Sequence, residues 1–386
     1  ARVKQFAARG DFAKAEQLPN VSGYAGANRQ KISKNTTGGT FNPDAYNTFG
    51  AGVEVAYEVD IMGKISNNVL AVGKDFESAE AAYKNVLLIL QANLAQNYFA
   101  LRAKDSEAKL VKAAVELRTE QIDIIKKREQ LGAASGLDVK LAETDLANIK
   151  LQALELDKQR ANLEHSLAIL LGKAPAEFDF VRQEFKFSQP KIPVGLAADV
   201  LQRRPDIAAA IRSLEAENAR VGIARAAFFP DITLTASGGL TSEQLGDLFK
   251  WSSRTWLVGP ASAAIISGAI YDGGRYFANR EGAEAKYEEA VANYRQQVLQ
   301  AFKEVEDNLS DLAVLNDQLK QAEIARNSAD DAQRITQIKY DAGAISYFDL
   351  KDAQVQAISA QRQQINTQLQ ASISTVSLIK AIGGSW

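Results

Sequence analysis

Shifted by 211 residues, the sequence falls on top of itself. The segment Gly132–Lys140 (GAASGLDVK) lands on Gly343–Lys351 (GAISYFDLK). Pro19 lands on Pro230, Ala13-Lys14-Ala15 on Ala224-Arg225-Ala226, Gly63-Lys64 on Gly274-Arg275, and Leu171-Gly172 on Ile382-Gly383. One unit is used twice, so the second half must solve the folding problem in the same way as the first. Each copy reads strand, strand, very long helix, tight turn, shorter helix. That order does not suit an enzyme; it suits a protomer that builds something long and hollow.

Proline marks where the helices can lie. The eight prolines leave 44–174 and 261–386 free of any, and proline is excluded from helix interiors. The pattern predicts long helices over about 64–131 and 274–340, each roughly 100 Å at about 1.5 Å per residue. Ile65, Val69, Val72, Phe76, Ala79, Tyr83, Val86 and Leu90 form a heptad seam. Two successive steps of four (Leu90, Leu94, Tyr98) then relax the supercoil, and similar steps recur from Ala283 to Leu312. Shorter helices return over about 138–171 and 348–382. A further helix covers about 205–228, with Pro205 in its first turn and Asp206 near its positive end. No apolar run reaches the length of a transmembrane helix. Heptads alone leave a spectrin-like bundle open.

The strands argue against a plain bundle. Four are expected, at about 20–29, 50–62, 231–240 and 255–271. Val53, Val55, Tyr57, Val59 and Ile61 alternate with Gly52, Glu54, Ala56, Glu58 and Asp60, giving one apolar and one acidic face. Ile232, Leu234 and Ala236 alternate with Thr233, Thr235 and Ser237. Polar loops 31–46 and 241–254 join the strands in pairs, with Trp251, Trp256 and Tyr57 as interfacial aromatics. Length and alternation match a membrane β-barrel wall; a soluble sandwich hairpin is the alternative. Four strands cannot close a barrel, and an open edge in lipid is forbidden. Three copies would supply twelve strands, an acceptable barrel number. The expected class is therefore mainly α with a β-barrel, a long α-helical barrel plus four strands per protomer. The two repeats divide at 1–190 and 191–386. The second repeat has a full segment, 192–228, ahead of its strands and the first does not, so residues preceding Ala1 are expected.

Composition removes most chemistry. There is one His, one Met and no Cys, so thiol nucleophiles, Cys-based zinc sites and iron–sulfur clusters are excluded. A net charge of −2 gives no footprint for nucleic acid. No phosphate loop, nucleophile elbow or metal cluster is present. A lone His165 in mid-helix is expected to be structural. No cofactor and no catalysis are expected.

Several strings resemble the outer-membrane factor family, the TolC/OprM-like exit ducts of Gram-negative efflux pumps. They are Tyr57–Lys64 (YEVDIMGK) at the strand-to-helix step, and Ile192–Leu196 (IPVGL) with Leu201–Ile207 (LQRRPDI) between the repeats. Phe228–Ile232 (FFPDI) leads into the third strand and Ile270–Arg275 (IYDGGR) leaves the fourth. The end, Lys380–Trp386 (KAIGGSW), resembles the family's closing Gly-Gly-x-Trp. The resemblance covers nearly the whole chain and points to the OprM-like efflux branch. Many members of that branch carry an acylated N-terminal Cys; this sequence holds no Cys, so that residue was trimmed away or this member lacks the anchor.

The resemblance implies a homotrimer in the outer membrane, extending into the periplasm. It would form a twelve-stranded barrel above an α-barrel, with a belt built from about 172–198 and the C-terminus. Partners would be a periplasmic membrane-fusion adaptor, an inner-membrane pump of RND type and outer-membrane lipid. The duct would carry drugs or other small toxic compounds. Arg203, Arg204 and Asp206 would order the belt and cap the helix. Gly132, Gly136 and Gly343 allow the positive φ of a tight turn. These tips, with Ser346, would dock the adaptor. Asp349 and Asp352 lie three apart and share one helix face, so a threefold axis would stack two carboxylate rings at the aperture. Asp138 is the first-repeat counterpart of Asp349, and Tyr340 matches a gate tyrosine. Ile345 stands where TolC-type members carry an Arg, which makes a latch built on that Arg doubtful here. Glu54, Glu58 and Asp60 would line the barrel lumen. The alternative function is a periplasmic adaptor or coiled-coil scaffold without a pore.

Overall fold

The computed structural model describes residues 1–33, 35, 45–188, 203–259 and 271–384. In chain order these form α1 (Arg2–Ala15), β1 (Asn20–Gln30), β2 (Tyr46–Glu58), α2 (Lys64–Gln130), α3 (Gly136–Leu170), α4 (Pro205–Ala226), β3 (Thr233–Ser242), β4 (Arg254–Gly259), α5 (Arg275–Asp341) and α6 (Tyr347–Ala381). Helices α2 and α5 are each 67 residues and α3 and α6 each 35, and the bounds of each pair lie 211 apart. Among the described residues no helix is long and apolar enough to cross a membrane.

The chain forms two compact units. The first joins Ala1–Tyr83 to Asp206–Gln297, and the second joins Lys84–Pro205 to Val298–Trp386. Each unit takes a segment from each half of the sequence, so division by contact cuts across the expected boundary at 190/191.

The first unit holds one antiparallel sheet in the order β1-β2-β3-β4. Expected strand bounds shift, the third from 231–240 to Thr233–Ser242. The second strand begins at Tyr46 and ends at Glu58, short of the expected 62. The last part of the strand expected over 255–271 lies outside the described residues, as do Ile192–Leu196, Leu201, Gln202, Ile270, Ser385 and Trp386 from the family strings. Residues 59–63 connect β2 to α2. The Asp60 carboxylate accepts hydrogen bonds from the amides of Ile65 (2.9 Å) and Ser66 (2.7 Å), and from the Ser66 hydroxyl. Asp60 is thus a helix cap and not a residue of the strand's polar face, which corrects its expected place in the alternation. Burial opposes its ionisation, but the hydrogen bonds from Ser66 and Ile65 outweigh that and hold its pKa below the usual carboxylate value. At the other long helix, Asp272 caps α5 through the amides of Gly274 (2.9 Å) and Tyr276 (2.7 Å).

In the second unit the antiparallel helices pack through small and aliphatic side chains. Ile122 and Ile125 of α2 meet Val139 and Ala142 of α3, with Tyr347 packed against them. Val305 of α5 meets Leu378 and Ala381 of α6.

A two-faced sheet, two capped turns and a buried ion network

The register sorts the sheet into two chemically different faces. Directly paired residues share a face, so one face carries Val21, Ala25 and Ala27 of β1 with Phe49, Ala51, Val53, Val55 and Tyr57 of β2. Leu234, Ala236 and Leu240 of β3 and Trp256 and Val258 of β4 continue it. The other face carries Asn20, Ser22 and Asn28, Thr48, Glu54 and Glu58, Thr233, Thr235, Ser237 and Thr241, and Thr255. The alternation legible in β2 and β3 therefore extends to β1 and β4, with Leu257 of β4 the large apolar exception on the polar face. Large apolar side chains stand exposed: Trp256 is 76% and Val258 70% accessible.

On the polar face Tyr24 lies across a pair of glycines. It is paired with Gly52, which is paired with Gly239. A Cβ on Gly52 would stand 2.7 Å from the Tyr24 hydroxyl, and one on Gly239 would stand 2.5 Å from the carbonyl oxygen of Ala51. The glycines let the ring lie flat over two strands. Of the acids expected on this face, Glu54 is exposed, whereas Glu58 is taken by Lys64 at 3.3 Å. Lys64 also holds Asp231 at 2.9 Å.

The two helix turns are built alike. Gly132 and Gly343 each have φ of +74°. After α2 the amide of Ala133 donates to the Arg128 carbonyl (2.7 Å) and that of Gly132 to Glu129 (2.9 Å). After α5 the amide of Ala344 donates to Lys339 (2.9 Å) and that of Gly343 to Tyr340 (2.9 Å). This is the Schellman arrangement, which requires a left-handed residue at the helix end. Gly136, expected to share that role, instead opens α3 and is not among the positive-φ glycines. Its place in the turn is taken by the cap. Ser135 Oγ accepts from the Asp138 amide (3.2 Å) while the Asp138 carboxylate accepts from the Ser135 amide (2.9 Å). Ser346 and Asp349 form the same reciprocal pair at α6, at 3.3 Å and 3.0 Å.

Two expected aperture residues, Asp138 and Asp349, thus initiate helices. The Ser346 hydroxyl and amide hold the Asp349 carboxyl below its ordinary pKa. The signal was present in the sequence as Ser-x-x-Asp ahead of an apolar run. Asp352 is exposed one turn on, and no hydrogen bond or ion pair engages it among the described residues. Tyr340 is buried, with the Arg128 guanidinium 5.2 Å from its ring centroid and Tyr347 at 6.5 Å between centroids. Burial pushes the Tyr347 hydroxyl up. The first tip exposes Leu131 and Leu137; the second carries Ile345, half-buried.

Sequence reasoning missed a buried ion network higher in the second unit. Asp105 accepts from Arg102 (2.9 Å), from Arg160 Nε (2.8 Å) and from the Gln183 amide (3.2 Å). Arg102 also donates to the Val181 carbonyl (2.6 Å), Arg160 donates to Phe180, and Arg160 pairs with Glu164 at 2.7 Å. The network fastens the segment after α3 along α2. Nearby in the same unit Arg204 reaches the Ala381 carbonyl (3.0 Å) and Glu304 (2.9 Å). In the first unit Asp206 accepts from its neighbour Ile207 (2.9 Å) and from Gln297 (2.6 Å). His165 is exposed on α3. Among the described residues no group of His, Asp or Glu is arranged to hold a metal.

Comparison with known proteins agrees with this geometry. Residues 1–173 and 196–384 match the family described as outer membrane efflux protein. The chain is 32% identical over 386 residues to the solvent efflux pump outer membrane protein SrpC of Pseudomonas putida, spanning 100% of this chain and 81% of that one. It is 30% identical over 377 residues to the outer membrane protein OprJ of Pseudomonas aeruginosa, covering 97% and 78%. Its fold matches the Campylobacter jejuni CmeC outer membrane channel with a TM-score of 0.93 at 27% identity, covering 99% of this chain and 81% of that one. It matches VceC of Vibrio cholerae at 0.89 and 26%, covering 99% and 91%. The chain belongs to the outer membrane efflux protein family.

Proposed function

We propose that the chain is the outer-membrane exit duct of a tripartite efflux system in a Gram-negative cell, a passive channel and not an enzyme. Three copies would close a twelve-stranded barrel, with the two 211-residue-offset halves contributing equivalent helices to an α-barrel below it. One observation carries this reading. A single register gives the four strands one apolar face and one mainly polar face, broken only by Leu257 among the large aliphatics of β4, while β1 and β4 leave open edges. Such a sheet is stable in lipid only when neighbouring copies close it. Its apolar wall would face lipid, and Glu54 would face the lumen. A scaffold without a pore gives no reason for an apolar face of this extent.

The cargo would be small and apolar, as the names of relatives in solvent, toluene and antibiotic efflux suggest. The aperture would lie at the helix turns, where Asp352 and Asp349 repeat around the threefold axis. The exposed Leu131 and Leu137 beside Gly132 suit an adaptor tip, and a pump of RND type would sit behind the adaptor. The test is conductance in a planar bilayer. The wild type should insert as a trimer with small, cation-selective conductance, and Asp352→Asn should raise it. Insertion with conductance unchanged by the substitution moves the gate elsewhere. No insertion at all removes the duct.

A further inference from the structure

The apolar face of the sheet carries two charges among its paired residues, and both are arginines. Arg29 stands on β1, paired with Asn47, and Arg254 stands on β4, paired with Leu240. Both lie near the same end of the sheet, the one where the β1–β2 and β3–β4 loops connect the strands and not the end where α2 departs. Both are exposed, and among the described residues neither has an acidic partner. Arg254 lies over the ring of Trp251, itself 77% accessible, and Trp256 is next on the same face. Of the acids in the β3–β4 loop, Asp247 is paired with Lys250 at 2.5 Å. The other, Glu243, lies in the bend after β3 and pairs with no base among the described residues.

A cation on a lipid-facing wall is costly unless it reaches the headgroup level. Two guanidiniums there, with no acidic partner among the described residues and with an indole beside Arg254, suit a planar polyoxyanion better than bulk water. Arginine binds phosphate through a rigid fork of donors.

We propose that Arg29 and Arg254, with Trp251 and Trp256, form a site on the outer wall of the barrel for the phosphate groups of the glycolipid in the outer leaflet. This rests on the duct reading, which puts the loop end outside the cell because the long helices leave from the opposite end. Closing the barrel sets the β1 edge of one copy beside the β4 edge of the next. Each seam then holds Arg29 from one copy and Arg254 from its neighbour, giving three sites per trimer. At the opposing rim Lys64 is engaged by Glu58 and Asp231.

The test reconstitutes the wild type and Arg29→Gln/Arg254→Gln into phosphatidylcholine vesicles. These are doped in turn with lipopolysaccharide, enzymatically dephosphorylated lipopolysaccharide, or phosphatidylglycerol, and the lipid retained on the re-extracted trimer is quantified. Wild type should retain intact lipopolysaccharide over the dephosphorylated form by on the order of tenfold, as expected for two cations at an anionic surface. The variant should lose that preference while inserting and conducting like wild type, since neither residue lies on the polar face. Equal retention by wild type and variant overturns the proposal. So does equal retention of phosphatidylglycerol by wild type, which would make the rim a generic anionic-lipid surface. Failure of both proteins to insert would count instead against the duct.

Discussion

Replacing Asp105 with alanine should be among the most destabilising single substitutions in the helical unit. Its carboxylate is 2% exposed and takes charge-assisted hydrogen bonds from two arginines that are themselves 6% and 8% exposed. Alanine would strand the buried Arg102 guanidinium and leave Arg160 only Glu164. Breaking a buried pair in this way costs about 3–5 kcal/mol, mostly because the surviving charge is stranded. Asp105→Asn keeps one acceptor oxygen and the shape, so it should cost roughly half as much. The loss would not be confined to the helices. Arg102 and Arg160 also hold the carbonyls of Val181 and Phe180, and the Gln183 amide rests on Asp105 itself. The segment after α3 should therefore become a protease-sensitive site in Asp105→Ala before the helices melt. The assay is urea unfolding in detergent followed by far-UV circular dichroism, where the midpoint shift at constant slope gives the free energy, with limited proteolysis alongside. A shift of less than about 1 kcal/mol, the range of a surface ion pair, would refute the claim that this network is desolvated.

Further substitutions test the backbone reasoning. Gly132→Ala and Gly343→Ala meet no atom within 4 Å but sit at φ of +74°. Each should lower stability by about 1 kcal/mol through conformation alone, whereas Gly136→Ala, inside α3, should be neutral or stabilising; thermal midpoints decide. Gly239→Ala should impair folding of the sheet, because its Cβ would stand 2.8 Å from the Gly52 Cα, while Gly238→Ala, with open space around it, should not; yield of folded protein in detergent separates them. The Asp349 carboxyl is held below its ordinary pKa, so the unfolded chain binds more protons than the folded one. The cap is then fully present above the ordinary carboxylate range and lost as pH falls through the lowered value. Protection of the Leu350 and Lys351 amides, measured against their intrinsic exchange rates, should fall in acid, and should show no such step in Asp349→Asn.

The elements were legible because their causes are local. Proline-free runs, a doubled heptad seam and glycines at the helix ends marked α2, α3, α5 and α6 to within about two residues. The alternation in β2 was equally plain, since period two needs only neighbouring residues. What stayed hidden were pairings across the sequence. Gly23, Gly26 and Tyr24 blur the pattern in β1, and its apolar face emerges only when register places Val21 against Val55 and Ala25 against Ala51. The Arg102–Asp105–Arg160 network joins residues 55 apart in sequence, and charged residues on an amphipathic helix read as a solvated face until a partner covers them. Asp60 misled because it continues the alternation in phase. A carboxylate two residues beyond a strand and five before a helix amide has two readings, and only the chain direction after Val59 selects the cap.

Asp349 is asked to do two things, and the structure separates them. If the carboxylate rings close the aperture by sharing a bridging cation around the threefold axis, removing either ring should loosen the aperture. If Asp349 matters as the partner of Ser346, removing it frays the first turn of α6 and loosens the aperture by a different route. Asparagine distinguishes the two, because its side-chain oxygen still accepts at a cap while the charge is gone. Under the charge account Asp349→Asn and Asp352→Asn should each raise conductance, and the double substitution should raise it further. Under the capping account Asp349→Asn should conduct like wild type and only Asp349→Ala should open the duct. Ser346→Ala should then mimic Asp349→Ala, although it removes no charge. A high conductance in Ser346→Ala with a silent Asp352→Asn would assign the closed state to helix capping and leave the carboxylate rings no part in it.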